Sequence, residues 1–324
     1  MHLDPNSTLI GWDVGGTKST ALIGTPDGRV LARDSWPSHT ERGPQAMIAE
    51  FLERVAPLMR QFPAAAALGV SIGGPLNPGQ GIIFSSPHLP GWDNLPLRDI
   101  LVRELKINVI IEHDAAACLL AEHLWGAAAG LTHAAYITAG TGCGAGILID
   151  GRVLRGPTGQ SPEIGHIRMA EEGPLLFGKR GCVESFCSGT GIGLLARELF
   201  PEHFPQPVTT RELADLANSG DQPAREVLLT SAKWMGRVCA MLTDLFSMEV
   251  IIIGSLARYL PEWWLEKIRE EFTREVLPQN GSHTRIIPSG LGDRLQDLST
   301  IAPCVFPEHS KLKTLSAKLR ASNP

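Results

Sequence analysis

The chain contains the same pattern twice: an apolar strand runs into a glycine-rich turn and leaves as a second strand. The two copies span residues 9–23 and 136–149. Their turns read Asp13-Val14-Gly15-Gly16-Thr17-Lys18 and Gly140-Thr141-Gly142-Cys143-Gly144. Glycine allows positive φ and a close approach of the backbone to a ligand, so that successive N–H groups can point at phosphate oxygens. Two such turns therefore predict a polyphosphate held from two sides.

The residues around each turn favour a hairpin over the two common nucleotide-binding motifs. Neither turn has the spacing G-x-x-x-x-G-K-[ST], and each continues as a strand instead of opening a helix, which excludes the P-loop and Rossmann interpretations. Pro26-Asp27-Gly28 and Asp150-Gly151 then read as tight turns into a further strand. Each copy is therefore predicted to be a glycine hairpin followed by a return strand.

Strands and helices alternate along the rest of the chain, as in an α/β protein. Short apolar runs predict buried strands at residues 66–72, 107–111 and 249–253. Ligands of open α/β sheets bind beyond the carboxyl ends of the strands. By that rule the candidate ligand positions are Asp13, Asp114, Gly140 and Gly254.

Composition narrows the class of protein. With 324 residues, 43% of them apolar, the chain is long enough for two domains or one two-lobed unit. The formal net charge is −5 and no basic stripe occurs, so we expect neither a nucleic-acid nor a membrane partner. The polar N-terminus lacks a signal-peptide core and six cysteines are scattered along the chain, which favours a cytoplasmic protein with reduced thiols.

The order of the motifs resembles the ROK family, which consists mainly of bacterial sugar kinases and includes repressors. The motifs are Asp13-Val14-Gly15-Gly16-Thr17-Lys18, Gly73-Gly74-Pro75, Leu89-Pro90-Gly91-Trp92, His113-Asp114, Gly140-Thr141-Gly142-Cys143-Gly144, Glu163-Ile164-Gly165-His166, Gly181-Cys182-Val183-Glu184 and Ile252-Ile253-Gly254. The resemblance implies the two-lobed, actin-like ATPase fold (hexokinase-like, ribonuclease H-like). The N-terminal lobe is expected to comprise residues 1–113 and 292–324, and the C-terminal lobe residues 114–291. The first strand starts near Leu9, as in the kinase branch.

Asp114 is the candidate catalytic base. It follows a buried strand, and the resemblance places it beside the primary hydroxyl of a sugar, at the mouth of a cleft between the lobes. A general base typically contributes about 10²–10⁴-fold to the rate. The residues alone allow a second interpretation with equal weight, since an aspartate ahead of an alanine-rich helix is a typical N-cap. The motif order favours catalysis.

The resemblance also implies Mg-ATP as the cofactor. Asp13 is expected to act on Mg²⁺ through water, because magnesium keeps several waters and takes one or two carboxylates. Bonds from backbone N–H groups within the turn are the alternative role for this carboxylate. The residues expected at the nucleotide are Asp13, Gly15, Gly16, Thr17, Lys18, Gly140, Thr141, Gly142, Gly144, Gly254 and Ser255. Ser255 stands where the family usually has a second glycine.

The acceptor site departs from the family pattern at two positions. His113 precedes the catalytic aspartate and His88 precedes the Leu-x-x-Trp stretch, and asparagine is usual at both places. Neutral imidazole offers one donor and one acceptor in a different geometry, and it titrates near pH 6.5. We therefore expect altered sugar recognition. The residues expected at the sugar are Gly74, His88, His113, Glu163, His166 and Glu184.

The zinc motif of the family is degenerate in this chain. Family members commonly bind zinc with a histidine and three cysteines in a C-x-C-G-x-x-G-C pattern, and here Leu175 and Phe177 replace two of those cysteines. A structural zinc needs four ligands in closed tetrahedral geometry. His166, Cys182 and at most Cys187 remain. We therefore expect no structural zinc, and we expect Leu175 and Phe177 to fill its place by apolar packing.

The predicted function is an ATP-dependent carbohydrate kinase that phosphorylates a primary hydroxyl of a hexose or N-acetylhexosamine, as a glucokinase-like enzyme does. Its partner is a small-molecule sugar, and family members are often dimers, so a homodimer is compatible with the resemblance. Two alternatives remain open. One is a non-catalytic sugar sensor of the same family, and the other is an actin-like ATPase without a sugar acceptor.

Overall fold

The computed structural model describes Asp4 and residues 7–86, 89–157 and 159–306. Its strands are β1 (Thr8–Val14), β2 (Lys18–Gly24), β3 (Val30–Pro37), β4 (Ala65–Ile72), β5 (Leu76–Asn77), β6 (Ile82–Ile83), β7 (Asn108–His113), β8 (Ala134–Ala139), β9 (Cys143–Ile149), β10 (Arg152–Val153), β11 (Leu175–Leu176), β12 (Lys179–Arg180), β13 (Val250–Ile253) and β14 (Arg285–Pro288). Its helices are α1 (Gly43–Gln61), α2 (Leu97–Leu105), α3 (Asp114–Trp125), α4 (Val183–Cys187), α5 (Gly189–Leu199), α6 (Thr210–Asn218), α7 (Gln222–Phe246), α8 (Leu256–Tyr259), α9 (Glu262–Glu275), α10 (Pro278–Gly281) and α11 (Leu295–Val305). None of these helices has the length and hydropathy needed to cross a bilayer.

Two five-stranded sheets share one strand order. The first runs β3-β2-β1-β4-β7, in which β1 to β3 form an antiparallel meander and β4 and β7 run parallel to β1. The second runs β10-β9-β8-β13-β14 with the same directions. The turn between β9 and β10 has positive φ at Asp150 (51°) and Gly151 (70°), which suits an Asp-Gly hairpin turn. Both predicted glycine hairpins, each with its return strand, are therefore confirmed.

The described residues divide into two compact units. Unit 1 comprises the described residues within Met1–Gly130, Leu154–Ser161 and Leu291–Pro324, and unit 2 those within Leu131–Val153 and Pro162–Gly290. Unit 1 extends past residue 113, where the sequence suggested a boundary, because helix α3 packs against helix α11 within this unit. It also takes in the segment 154–161, which we had expected in the second lobe.

The core of unit 1 forms on both faces of its sheet. Trp12 on β1 stacks on Phe51 of α1, with ring centroids 4.1 Å apart. On the other face, a Cβ added to Gly11 or Gly69 would overlap Thr300 of α11. Glycine at these two strand positions therefore lets α11 lie directly on β1 and β4.

The core of unit 2 is built around α7 and β13. Strand β13 is completely buried, and α7 buries one face along its length. The ring of Phe186 on α4 stacks on that of Trp234 on α7 at 4.6 Å. This stacking fixes α4, which carries Glu184, against the long helix.

Candidate active site

The carboxyl ends of three parallel strands meet at one edge of the first sheet. Strands β1, β4 and β7 are neighbours in the order β1-β4-β7, and they end next to Asp13, Gly73 and Asp114 respectively. The Asp114 carboxylate is close enough to that of Asp13 to raise its pKa. The fold therefore brings together the two acidic residues that the sequence singled out in unit 1.

Asp114 is the first residue of α3, and the N-cap is His113. Its Oδ1 accepts the Ala115 N–H at 2.6 Å. A Cβ added to Gly73 would lie 3.8 Å from Oδ2, so the glycine leaves space beside this oxygen. The side chain is 41% exposed. The contact with a helix N-terminal amide thus coexists with an oxygen that a substrate can reach.

His113 packs against both Asp114 and the Gly73-Gly74 turn. Its Nδ1 lies 3.3 Å from Asp114 Oδ1, and its side chain is 9% exposed. A Cβ on Gly74 would lie 2.9 Å from Cδ2 of the ring, which explains why this position is glycine. His88, the other expected histidine, lies outside the described residues.

The Asp13 carboxylate is buried at the end of β1. Burial raises its pKa to about 7, the Asp114 and Asp297 charges add to the rise, and the hydrogen bond from Gln296 and the charge of Lys18 oppose it. The bond from Gln296 Nε2 to Oδ1 is 2.9 Å long. An oxygen donor of this kind fits Mg²⁺, which takes one or two carboxylates and keeps several waters.

Asp13→Asn is expected to stabilise the ligand-free protein in a pH-dependent manner. The pKa of about 7 lies above the ordinary value of 3.8, so the wild type loses stability as pH rises from about 4 to about 7 and no further above that. Asparagine keeps the acceptor for Gln296 without a charge. The melting temperature of the variant should exceed that of the wild type by several degrees at pH 8 and by little near pH 4.

Asp150→Asn is the control for this experiment, because its side chain is 84% exposed and Asn-Gly also suits the turn. It should leave melting temperatures nearly unchanged at every pH. An Asp13→Asn difference that does not vary with pH would contradict the buried-carboxylate account.

The first glycine turn does not use the positive φ that glycine allows. Gly15 and Gly16 both lack it. The absence of a side chain matters instead, since a Cβ on Gly15 would lie 2.6 Å from the Lys18 carbonyl oxygen. Ser38 braces the turn: its hydroxyl donates to the Gly15 carbonyl at 2.5 Å. Thr17 and Lys18 are exposed.

The second glycine turn lies against the N-terminus of α5. The Gly189 N–H donates to the Gly140 carbonyl at 2.7 Å, and the Gly140 N–H donates to the Gly142 carbonyl at 3.1 Å. Gly140, Gly142 and Gly144 all lack positive φ. A Cβ on Gly140 or Gly142 would meet no atom nearer than 3.5 Å, so lack of space within the protein does not require glycine at these two positions. The Gly140 amide is committed within the turn, which leaves fewer N–H groups for a phosphate.

A cavity of about 450 Å³ opens beside this turn. Its lining residues are Gly140, Thr141, Gly189, Thr190, Gly193, Leu194, Arg197, Pro207, Val208, Thr209, Thr210 and Leu256. The sequence reasoning missed the α5 contribution. The signal was present, because Ser188-Gly189-Thr190-Gly191-Ile192-Gly193 is a glycine-rich run whose serine caps the helix by accepting the Gly191 N–H at 2.9 Å. Helix N-termini favour anions.

Gly254 and Ser255 lie at the same edge of the second sheet as the glycine turn. Strand β13 runs parallel to β8, and Ile253 pairs with Ile137. A Cβ on Gly140 would lie 3.9 Å from Ser255 Oγ. Leu256 follows directly and lines the cavity. The fold thus joins both unit 2 segments that the sequence assigned to the nucleotide.

Glu184 joins the second glycine turn to the Glu163-Ile164-Gly165-His166 segment. Its carboxylate accepts the Cys143 N–H at 3.1 Å. A Cβ on Gly165 would overlap the Cys143 carbonyl oxygen and lie 3.1 Å from Glu184 Oε2. Glu163 and His166 are exposed, and Glu184 is half-buried. Three residues expected at the sugar therefore lie on elements in contact with the second glycine turn.

The residues left from the zinc motif do not fit a zinc site. Among the described residues, no group of three or more His, Cys, Asp or Glu side chains could hold a metal ion. The Cys182 Sγ lies 2.9 Å from Ser185 Oγ. Burial raises the pKa of the Cys187 thiol.

Leu175 and Phe177 do not fill the place of the zinc by burial, contrary to our expectation. Their side chains are 55% and 54% exposed. The hairpin of β11 and β12 presents them to solvent, where Phe177 contacts the His166 ring at a centroid distance of 5.4 Å. The apolar side chains of Leu175 and Phe177 are therefore part of the protein surface and not of a hydrophobic core.

Two sheets of one strand order, each carrying a glycine hairpin, define an α/β protein of the actin-like ATPase fold. The chain belongs to the ROK family, which matches residues 9–296. The glucokinase of Thermotoga maritima is 28% identical over 298 residues, which cover 89% of this chain and 94% of that enzyme.

Solved structures agree with this assignment. The ROK hexokinase from Thermus thermophilus has a TM-score of 0.81 and 30% identity, over 94% of this chain and 99% of that one. A ROK glucokinase from Streptomyces griseus, solved in complex with glucose and AMPPNP, has a TM-score of 0.77 and 26% identity, over 93% of this chain and 100% of that one.

Proposed function

We propose that this protein is a sugar kinase that transfers the γ-phosphoryl group of Mg-ATP to a primary hydroxyl of a hexose or N-acetylhexosamine. The observation that carries the proposal is the Asp114 carboxylate, which stands at the end of a parallel strand with one oxygen oriented by a helix amide and the other beside Gly73. Family membership and the kinases among the similar proteins support the same activity.

In the proposed reaction, Asp114 accepts the proton of the attacking sugar hydroxyl. Phosphoryl transfer depends mainly on positioning and on neutralising charge. The glycine turns and the α5 N-terminus bind the nucleotide, and the cavity beside them takes its adenosine portion. Asp13 would hold Mg²⁺ through water, and the ion would supply positive charge to neutralise the phosphates. Lys18 adds positive charge next to the first turn.

The acceptor is bound by four residues in this proposal. Glu163, His166 and Glu184 contact the sugar hydroxyls, and His113 replaces the asparagine that family members usually have there. His113 Nδ1 faces Asp114. An imidazole in this place restricts which hydroxyl arrangements can approach the base.

His113→Asn tests the specificity part of the proposal. The variant restores an amide that both donates and accepts, so the ranking of sugars by kcat/KM should change by about 10-fold or more, as expected when a buried polar contact is altered. The measurement is kcat/KM for each sugar that the wild type accepts. An unchanged ranking would remove His113 from sugar recognition.

The activity itself is tested by a coupled ADP-release assay with Mg-ATP across hexoses, N-acetylhexosamines and their epimers. A sugar kinase releases ADP only when its acceptor is present. A sugar sensor binds sugar, seen as a thermal shift, without ADP release, and an actin-like ATPase releases ADP regardless of the sugar. Either of these two results would overturn the proposal.

A further inference from the structure

The carboxylate of Glu112 is completely buried on β7, two residues before Asp114. Its side chain is 0% exposed. The Oε1 atom accepts the N–H of His113 at 2.9 Å. A buried charge is tolerated only when it is paired and hydrogen-bonded. Glu112 therefore needs a cationic partner, and it bonds directly to the backbone that leads into the catalytic base.

Arg155 supplies that partner. Its Nη1 donates to Glu112 Oε1 at 3.0 Å, and its Nη2 donates to Oε2. The Arg155 side chain is only 16% exposed. The planar guanidinium matches a carboxylate with two parallel bonds, which gives fixed geometry as well as attraction. This fork orients the carboxylate that bonds to His113.

Arg155 lies in the short segment Leu154–Ser161, which belongs to unit 1 although the chain on both sides of it belongs to unit 2. A bond from the Gly156 N–H to the Gln160 carbonyl closes the segment into a turn. A Cβ on Gly159 would lie 2.9 Å from the Asn77 side chain. The segment is therefore packed on unit 1, and two residues later the chain reaches Glu163.

We infer that Arg155 is a positioning residue for phosphoryl transfer. Through Glu112 it fixes the backbone of His113 and Asp114. Arg155 does not itself touch the reacting groups in this account. The inference rests on the proposed sugar kinase activity.

Arg155→Met tests the inference in the full-length protein. The variant should lower kcat at saturating sugar by about 10–100-fold, because misplacing a reacting group by about 1 Å costs on that scale. The KM for the sugar should rise as well. The dissociation constant for AMPPNP should stay within 2-fold of the wild-type value, since neither Arg155 nor Glu112 belongs to the glycine turns or lines the cavity proposed for the adenosine portion.

Arg237→Met is the matched control. Arg237 Nε also donates to a completely buried carboxylate, Glu271, at 3.0 Å, and Arg274 remains as a second cation for Glu271 in the variant. This variant should lower the melting temperature while keeping kcat within 2-fold of wild type. If Arg155→Met likewise lowers only the melting temperature, Arg155 is merely structural and the inference is wrong.

The double variant Glu112→Gln/Arg155→Met provides a second test in case the single variant Arg155→Met does not fold. The double variant has no unpaired buried charge, so its melting temperature should recover towards the wild-type value. Its kcat should remain at least 10-fold low, because the fork that orients the His113 amide is gone. Recovery of kcat together with stability would overturn the inference. A wild-type protein without sugar-dependent ADP release would instead refute the proposed function.

Discussion

Asp114→Asn is expected to lower kcat by about 10²–10⁴-fold, which is the range that a general base contributes. Asparagine has nearly the same shape and keeps an oxygen that can accept the Ala115 N–H, so α3 should begin as it does in the wild type. Only the capacity to take a proton is lost. The measurement is steady-state ADP release with the sugar that the screen identifies.

Comparison with Asp114→Ala separates catalysis from helix capping. Alanine removes both the base and the acceptor of the Ala115 N–H, so it should cost about 1 kcal/mol of stability in addition to the loss of rate. The asparagine variant should keep the wild-type melting temperature and the wild-type affinity for AMPPNP. A near-normal kcat in Asp114→Asn would show that Asp114 is only a helix-terminal residue.

Gly165→Ala is expected to disable acceptor binding and to destabilise unit 2. The added Cβ would overlap the Cys143 carbonyl oxygen, a backbone atom of the second glycine turn that has little freedom to move. Overpacking of this kind costs about 1–3 kcal/mol. Because the segment must move away from the turn, kcat/KM for the sugar should fall by about 10²-fold, as for a displacement near 1 Å.

Gly140→Ala is the control for the close approach. Its Cβ would meet nothing nearer than Ser255 Oγ at 3.9 Å, and its φ is not positive, so alanine fits the backbone. The melting temperature of this variant should stay close to that of the wild type. If Gly165→Ala is equally stable and binds sugar normally, then contact between the turn and the Glu163-Ile164-Gly165-His166 segment is not needed.

The sequence was sufficient for features that depend on neighbouring residues. Both glycine hairpins follow from a strand pattern interrupted by turn residues, and Asp150-Gly151 meets the positive φ that its turn requires. The order of the motifs along the chain was enough to identify the family. These features need no knowledge of distant contacts.

Contacts between distant parts of the chain could not be predicted from the sequence. Gln296 bonds to Asp13, and Arg155 pairs with Glu112, although nothing in their local sequence distinguishes them from solvated side chains. Charged residues are usually exposed, so the burial of Glu112 could not have been anticipated. The extent of unit 1 was missed for the same reason, since α3 joins it through a partner near the end of the chain.

Two features of the structure could not be decided from residue type, because the same residue type serves more than one purpose. Glycine allows both positive φ and close packing, and Gly15 is needed for the second reason, because the Lys18 carbonyl leaves no space for a side chain. Leucine and phenylalanine suggested a packed replacement for zinc, but Leu175 and Phe177 are more than half exposed on a two-stranded hairpin. Residue identity alone cannot distinguish these cases.

The seating of α11 on Gly11 and Gly69 has a consequence for biosynthesis. The first strands of unit 1 emerge from the ribosome long before α11, and their glycine face stays uncovered until Leu295–Val305 has been made. Unit 2, which ends at Gly290, is complete earlier. Domains generally fold as units during synthesis. All of unit 2 is therefore synthesised before unit 1 is complete. Unit 1 can cover its sheet only after α11, the last helix that the structure describes, has been made.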